Sequence, residues 1–237
     1  MKTYYLIFKI FYFMLVKRLK KVFSKKAREE DPYIVVSNWA KYCFKITGVN
    51  LEVHGKENLP QENCLFVSNH QSYFDIPIFL ASMDRRVALV SKKEVEKLPF
   101  IAYWMKLIHC VFLDRDNPRE AISSINTGAE NIKKYTSMVI FPEGTRSKSD
   151  NIGEFKKGSL KLGIKANAPI VPVTIFRSYK GFEENKKFTK CTIKLIIHKP
   201  IYLDNLDKVQ KNNLSNSIRT TIIESYNKLL AEASAAE

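Results

Sequence analysis

The chain has 237 residues, an ordinary hydrophobic share of 45% and a formal net charge of +15. That length suits one well-buried α/β domain with an appendage, and the composition excludes a polytopic membrane protein and a disordered chain. The charge calls for an anionic partner: nucleic acid, an anionic membrane surface or a phosphorylated substrate.

More than half of the excess charge lies at the start, where the first 28 residues carry nine Lys or Arg and no acid. Tyr4 to Val16 is apolar and aromatic apart from Lys9, and a basic run from Lys17 to Arg28 follows. The apolar block is too short for a bilayer span, which needs about 20 apolar residues. It is also a poor secretory signal, because its charges follow the apolar region and no small-residue cleavage site is present. Val16, Leu19 and Phe23 carry a helical stripe into the basic segment, the pattern of an interfacial helix on an anionic surface. A core helix with a solvated basic end is the alternative. Asp31 as N-cap and Pro32 at the first helical position open a second helix, which Gly48 can end. Its apolar spacing is Tyr33, Val36, Trp39, Ala40, Cys43 and Ile46, and Trp39 and Tyr42 suit the headgroup level. Residues 1–47 therefore read as a helical hairpin on, or dipping into, one leaflet, and residues 48–237 as the α/β domain.

From Leu51 the pattern changes. Short apolar runs recur at Leu51–Val53, Cys64–Val67, Val87–Val90, Val111–Leu113, Met138–Phe141, Ile170–Ile175 and Thr192–Ile197. Helical segments fit Ser72–Ala81, Glu94–Leu107, Pro118–Lys134, Gly158–Ala166 and Asp207–Ala233. The alternation predicts an α/β fold: a mixed, partly parallel sheet of about seven strands flanked by helices. Pro172 inside a run predicts an edge strand or a bulge. The four cysteines are scattered without metal-ligand or redox spacing, which suits buried thiols in a reducing cytoplasm.

The stretch richest in chemistry is Ser68-Asn69-His70-Gln71-Ser72-Tyr73-Phe74-Asp75. His70 falls on the loop that ends the Cys64–Val67 strand. Ser72 and Asp75 fit a capping pattern for the next helix. A tight strand-to-helix turn can fold the Asp75 carboxylate onto the imidazole, fixing its tautomer and leaving the other nitrogen as a general base. A loop histidine beside a capping aspartate is the alternative on these residues alone. Three further strand-end loops carry a basic residue: Lys92, Arg115 and, in Phe141-Pro142-Glu143-Gly144-Thr145-Arg146-Ser147, Arg146. Ligand sites in open α/β sheets gather beyond the carboxyl ends of the strands. An Arg fork suits an oxyanion, Gly144 permits close backbone approach, and Glu143 can accept from substrate hydroxyls or brace an Arg. Taken alone, Glu143 and Arg146 could equally form a turn with a local ion pair.

Taken together, these blocks resemble the glycerolipid acyltransferases, in particular the bacterial 1-acylglycerol-3-phosphate enzymes. Asn69 to Asp75 is similar to their H-x4-D block, Phe112-Leu113-Asp114-Arg115 to the second, Phe141 to Ser147 to the third and Ile170-Val171-Pro172-Val173 to the fourth. Phe155-Lys156-Lys157-Gly158 fits the segment that follows the third. The second block usually has a glycine where this chain has His109. The resemblance implies transfer of a fatty acyl group from acyl-CoA or acyl-carrier protein to the 2-hydroxyl of lysophosphatidic acid, giving phosphatidic acid. It implies His70 and Asp75 as the catalytic pair. Arg115, Glu143, Gly144, Thr145 and Arg146 would bind the phosphate and glycerol, helped by Lys92. It implies no metal and no cofactor beyond the acyl thioester. The expected place is the cytoplasmic face of the cell membrane, peripheral or monotopic. Another acceptor, such as glycerol 3-phosphate or a different lipid, is an alternative within acyl transfer. Nucleic-acid binding rests on charge alone and is not expected, because the densest basic run follows an aromatic block.

Overall fold

A computed structural model describes residues 2–114, 116–156 and 158–236. The N-terminal segment forms α1 (Lys2–Phe23), a short α2 (Lys25–Glu29) and α3 (Pro32–Thr47). The punctuation of α3 is as the sequence predicts. Asp31 accepts a hydrogen bond from the Tyr33 backbone, Pro32 opens the helix, and Gly48 ends it at φ 75°. The two long helices pair as a hairpin. Trp39 Nε1 donates to the Ile10 carbonyl at 3.1 Å, Phe13 stacks on Tyr42, and Lys17 pairs with Glu30 at 2.8 Å.

These helices differ in what they bury. On α3, Tyr33, Val35 and Val36 belong to the main core, Ala40 and Cys43 are buried as well, and the Tyr33 hydroxyl donates to the Ile108 carbonyl. The boundary expected between residues 47 and 48 is thus a break in the chain path and not in the packing. On α1 only Leu6, Met14 and Lys21 are buried. Its outer face exposes Tyr4, Tyr5, Phe8, Phe11, Tyr12, Leu15, Leu19, Val22 and Phe23. No helix among the described residues is long and apolar enough to cross a membrane.

The seven predicted strands all form: β1 (Asn50–His54), β2 (Leu65–Ser68), β3 (Val87–Lys92), β4 (Val111–Leu113), β5 (Ser137–Ile140), β6 (Ile170–Phe176) and β7 (Thr192–Ile197). The helices after β1 are α4 (Asp75–Ser82), α5 (Pro99–Leu107), α6 (Pro118–Lys134), α7 (Lys161–Ala166) and α8 (Lys208–Ala236). The sheet order is β1-β7-β6-β2-β5-β3-β4, mixed as expected. β6, β2, β5, β3 and β4 run parallel, while β7 is antiparallel to β6 and parallel to β1. Right-handed crossovers then place α4 and α5 on one face and α6 and α7 on the other. β2 is the central strand, and Leu65, Phe66 and Val67 are wholly buried, as a continuous apolar run covered on both faces should be.

The helices expected from Glu94 and Gly158 begin at Pro99 and Lys161, and of the two readings of Pro172 the bulge is the one that forms. The helix expected from Ser72 begins three residues later, because Gln71 to Phe74 are held in a turn by the Asp75 carboxylate and the Ser72 hydroxyl. Pro172 lies in an interior strand and not at an edge. It is tolerated because two residues of β6, Val171 and Pro172, face three beyond β7, between the Val173–Ile197 pairing and the Ile170–Ile201 bridge. The bulge places the missing N–H where the ladder is already interrupted.

Candidate active site

Because β2, β5, β3, β4 and β6 are parallel, the turns that follow them emerge at one edge of the sheet. The turn after the central β2 carries His70. Its Nδ1 lies 2.7 Å from Asp75 Oδ2. The same oxygen accepts from the Gln71 N–H at 2.7 Å and the Ser72 N–H at 2.9 Å, while Oδ1 accepts from Ser178 Oγ at 2.5 Å. Four donors thus surround a carboxylate with no exposed surface, which offsets the cost of burying a negative charge. A carboxylate can only accept, so the proton sits on Nδ1 and Nε2 keeps its lone pair. Nε2 has no hydrogen-bond partner among the described residues, and the imidazole retains 17% of its side-chain surface.

The turn after the neighbouring β5 grips His70 from the other side. The Phe141 ring stacks on the imidazole at 4.2 Å between centroids. The His70 N–H donates to Glu143 Oε1 at 2.7 Å, and the His70 carbonyl accepts from the Ser147 N–H at 2.8 Å. Glu143 Oε2 accepts from the Gly153 N–H at 2.8 Å. Both oxygens of Glu143 are therefore taken by backbone. Its partners among the described residues are backbone groups and not an arginine. Burial pushes its carboxyl above the usual glutamate range, with the two N–H groups opposing the shift. Gly144 turns the chain at φ 73° and donates to the Phe141 carbonyl.

Arg146 does not pair with Glu143 either. Its guanidinium lies 3.5 Å from the centroid of the Tyr73 ring, and Nη1 is 3.1 Å from Glu183 Oε1. Thr145 is exposed beside it. Lys92 is the exposed last residue of β3, on the same edge but separated from β2 by β5. Arg115 lies outside the described residues. The flanking Asp114 accepts from the Asp116 and Asn117 N–H groups, and Asn117 caps α6.

Four supporting residues have contacts that the motifs do not give. Ser178 and Glu183 lie on the turn after β6, and the strand-end rule applies to that turn as well as to the others. Asn69 clips the His70 turn to β6 through two bonds of 2.8 Å to the Ile175 backbone. Tyr226 of α8 reaches Gln71 Nε2 at 2.9 Å and Asp150 Oδ1 at 2.5 Å. His109, at the place where a glycine is usual, has φ 59°, the conformation that favours glycine. Its ring is stacked against Tyr135 and held 3.0 Å from the Tyr33 hydroxyl, a packing role. On the α6–α7 face a cavity of about 330 Å³ is lined by Val90, Val111, Ile125, Ile140 and Leu162, with Lys156 and Lys161 among its polar walls.

The acyltransferase family model matches residues 50–176. A Mycoplasma pneumoniae protein named "Probable 1-acyl-sn-glycerol-3-phosphate acyltransferase" is 33% identical over 76% of this chain and 73% of its own length. A Borreliella burgdorferi 1-acyl-sn-glycerol-3-phosphate acyltransferase is 27% identical over 81% of this chain and 78% of its own. The crystal structure of the 1-acyl-sn-glycerophosphate (LPA) acyltransferase PlsC from Thermotoga maritima superposes with a TM-score of 0.80, at 25% identity, over 97% of this chain and 94% of that one. With a matched region that spans every turn of the site up to the end of β6, this chain belongs to the acyltransferase family.

Proposed function

We propose that the protein transfers a fatty acyl group from a thioester, acyl-CoA or acyl-carrier protein, to the free 2-hydroxyl of lysophosphatidic acid, giving phosphatidic acid. The observation that carries this reading is His70 held at Nδ1 by Asp75, with Nε2 unpaired among the described residues, on the turn next to the one bearing Arg146. Nε2 takes the proton of the acceptor hydroxyl as its oxygen attacks the thioester carbonyl. Asp75 stabilises the imidazolium that forms. The C–S bond then breaks, and the departing thiolate recovers the proton. No acyl-enzyme and no cofactor is needed, because the thioester is already activated. Arg146 binds the acceptor phosphate, helped by Arg115 and by Lys92 at the end of β3 beside β5, with Gly144 and Thr145 shaping the turn. Glu143 positions His70 through its backbone. The apolar lining of the cavity suits the acyl chain.

The product and acceptor are lipids, and the aromatic face of α1 suits a peripheral or monotopic seat on an anionic leaflet, at the cytoplasmic side. Each basic residue near such a surface adds about 1 kcal/mol. The test is a donor-by-acceptor matrix with purified protein in vesicles, read by product mass. His70→Ala is expected to lower kcat by about 100- to 10,000-fold while vesicle binding persists. Near wild-type transfer by that variant would remove the base.

A further inference from the structure

We propose that Glu183 is the positioning residue for the phosphate-binding arginine, and that it acts on the acceptor through Arg146. This rests on the acyl-transfer reading above and adds to it the element that orients the cationic group.

Glu183 sits on the turn after β6, and its side chain keeps only 5% of its surface. Three donors converge on it. Oε1 accepts from the Tyr73 N–H at 2.8 Å and from Arg146 Nη1 at 3.1 Å, and Oε2 accepts from Ser72 Oγ at 2.6 Å. The carboxylate thus joins the His70–Asp75 turn to the Arg146 turn from a third, separate part of the chain. Its register is fixed by packing. Gly181 presses on the Phe74 ring so closely that an added Cβ would lie 2.9 Å from it, and Phe182 meets Tyr73 edge to face.

Arg146 alone is a long side chain with many rotamers. Here it is pinned twice, face-on by the Tyr73 ring and at one nitrogen by Glu183. A guanidinium has five N–H donors in a fixed fork. With one donor spent on Glu183, the others have no hydrogen-bond partner among the described residues and can meet two phosphate oxygens in a single orientation. Pre-ordering the fork lowers the entropy lost when the acceptor binds. The carboxylate also brings a negative charge near an anionic ligand. That charge is spread over three donors, so the net effect favours binding. The competing explanation is a latch that only holds the Ser72–Tyr73 backbone in place. A latch would alter the turn that carries His70, and so would change kcat for any acceptor.

The experiment compares wild type, E183Q, R146Q and the double variant, with lysophosphatidic acid as acceptor in vesicles. Gln keeps the volume and can still accept from the Tyr73 N–H, but it lacks the charge that holds Arg146. E183Q is expected to raise the acceptor KM about tenfold, the loss of one charge-assisted hydrogen bond, with kcat within threefold and the donor KM unchanged. In the R146Q background the same change should have no further effect on the acceptor KM. KM does not depend on the fraction of enzyme that is folded, so partial misfolding cannot imitate this pattern. A fall in kcat at constant KM, or a tenfold rise that persists without Arg146, would overturn the proposal and leave the acyl-transfer reading standing. A wild-type protein that acylates no lysophosphatidic acid would remove both.

Discussion

Asp75 has no surface, yet each of its oxygens is used, and the donor on Oδ1 is Ser178, 103 residues away in the chain. His70 and Asp75 could be read from the octapeptide because their pairing is local: a turn of five residues suffices. Ser178 and Glu183 could not, since no short pattern links them to residues 103 and 111 positions earlier. The contacts of Glu143 are illegible in the sequence for a related reason. Its neighbour in sequence is Arg146, but its partners are the backbones of His70 and Gly153, which the adjacency of β2 and β5 and the return of the chain bring to it. Its raised pKa makes a specific prediction. The folded chain holds this proton more tightly than the unfolded chain. The stability it contributes is full below the ordinary glutamate value and is lost as pH rises through the raised one. Glu143→Gln abolishes that titration but leaves one acceptor oxygen for two N–H donors, at a loss of about 1 kcal/mol. In melting curves across that window, the variant should start below wild type and close the gap as pH rises. A gap that is constant or widens would mean that Glu143 does not titrate there.

Among the elements, strands were the most legible, because buried parallel strands are unbroken apolar runs and each such run became a strand. The α6 bounds coincide with the helical segment Pro118–Lys134 legible in the sequence. The start of α4 was not, because its side-chain caps serve the His70 turn before they serve the helix. The helix whose pattern left its place open is α1, since an apolar stripe alone does not say whether protein or lipid covers it. The fold leaves nine large apolar side chains of α1 exposed along about 29 Å, far more than scattered surface residues would show. Burying a large apolar side chain is worth roughly 1.5–3 kcal/mol. Replacing Tyr4, Phe8, Phe11 and Leu15 with Ser is therefore expected to weaken binding to anionic vesicles by at least about 100-fold. Activity on acceptor dispersed in detergent should persist. Vesicle affinity unchanged in a flotation assay would remove the surface-docking role.

For the whole molecule, charge and length pointed to a basic α/β domain with an appendage, and the topology confirms the α/β part. Where the appendage stops was not legible. Helical spacing shows which face of α3 is apolar, but not that the α/β core covers it. Phe44 packs on Phe74, just before Asp75, and Tyr33 reaches Ile108, so α3 is a wall of the domain. Removing residues 1–47 should thus expose Val35, Val36, Ala40 and Cys43 counterparts in the core and yield an aggregated or unfolded protein. Removing residues 1–23 should leave a cooperative melt. Equal stability of the two truncates, followed by circular dichroism, would show that α3 is dispensable.

The turns that hold His70, Arg146 and Glu183 follow β2, β5 and β6, which are side by side in the sheet but enter the chain far apart. During synthesis the first two can assemble while the third is still unmade. The nascent chain therefore has His70 paired with Asp75 long before it has Ser178 and Glu183, which brace Asp75 and Arg146. The set of contacts is complete only when β6 and the turn after it lie beside β2, so a contiguous fragment ending before that strand lacks Ser178 and Glu183.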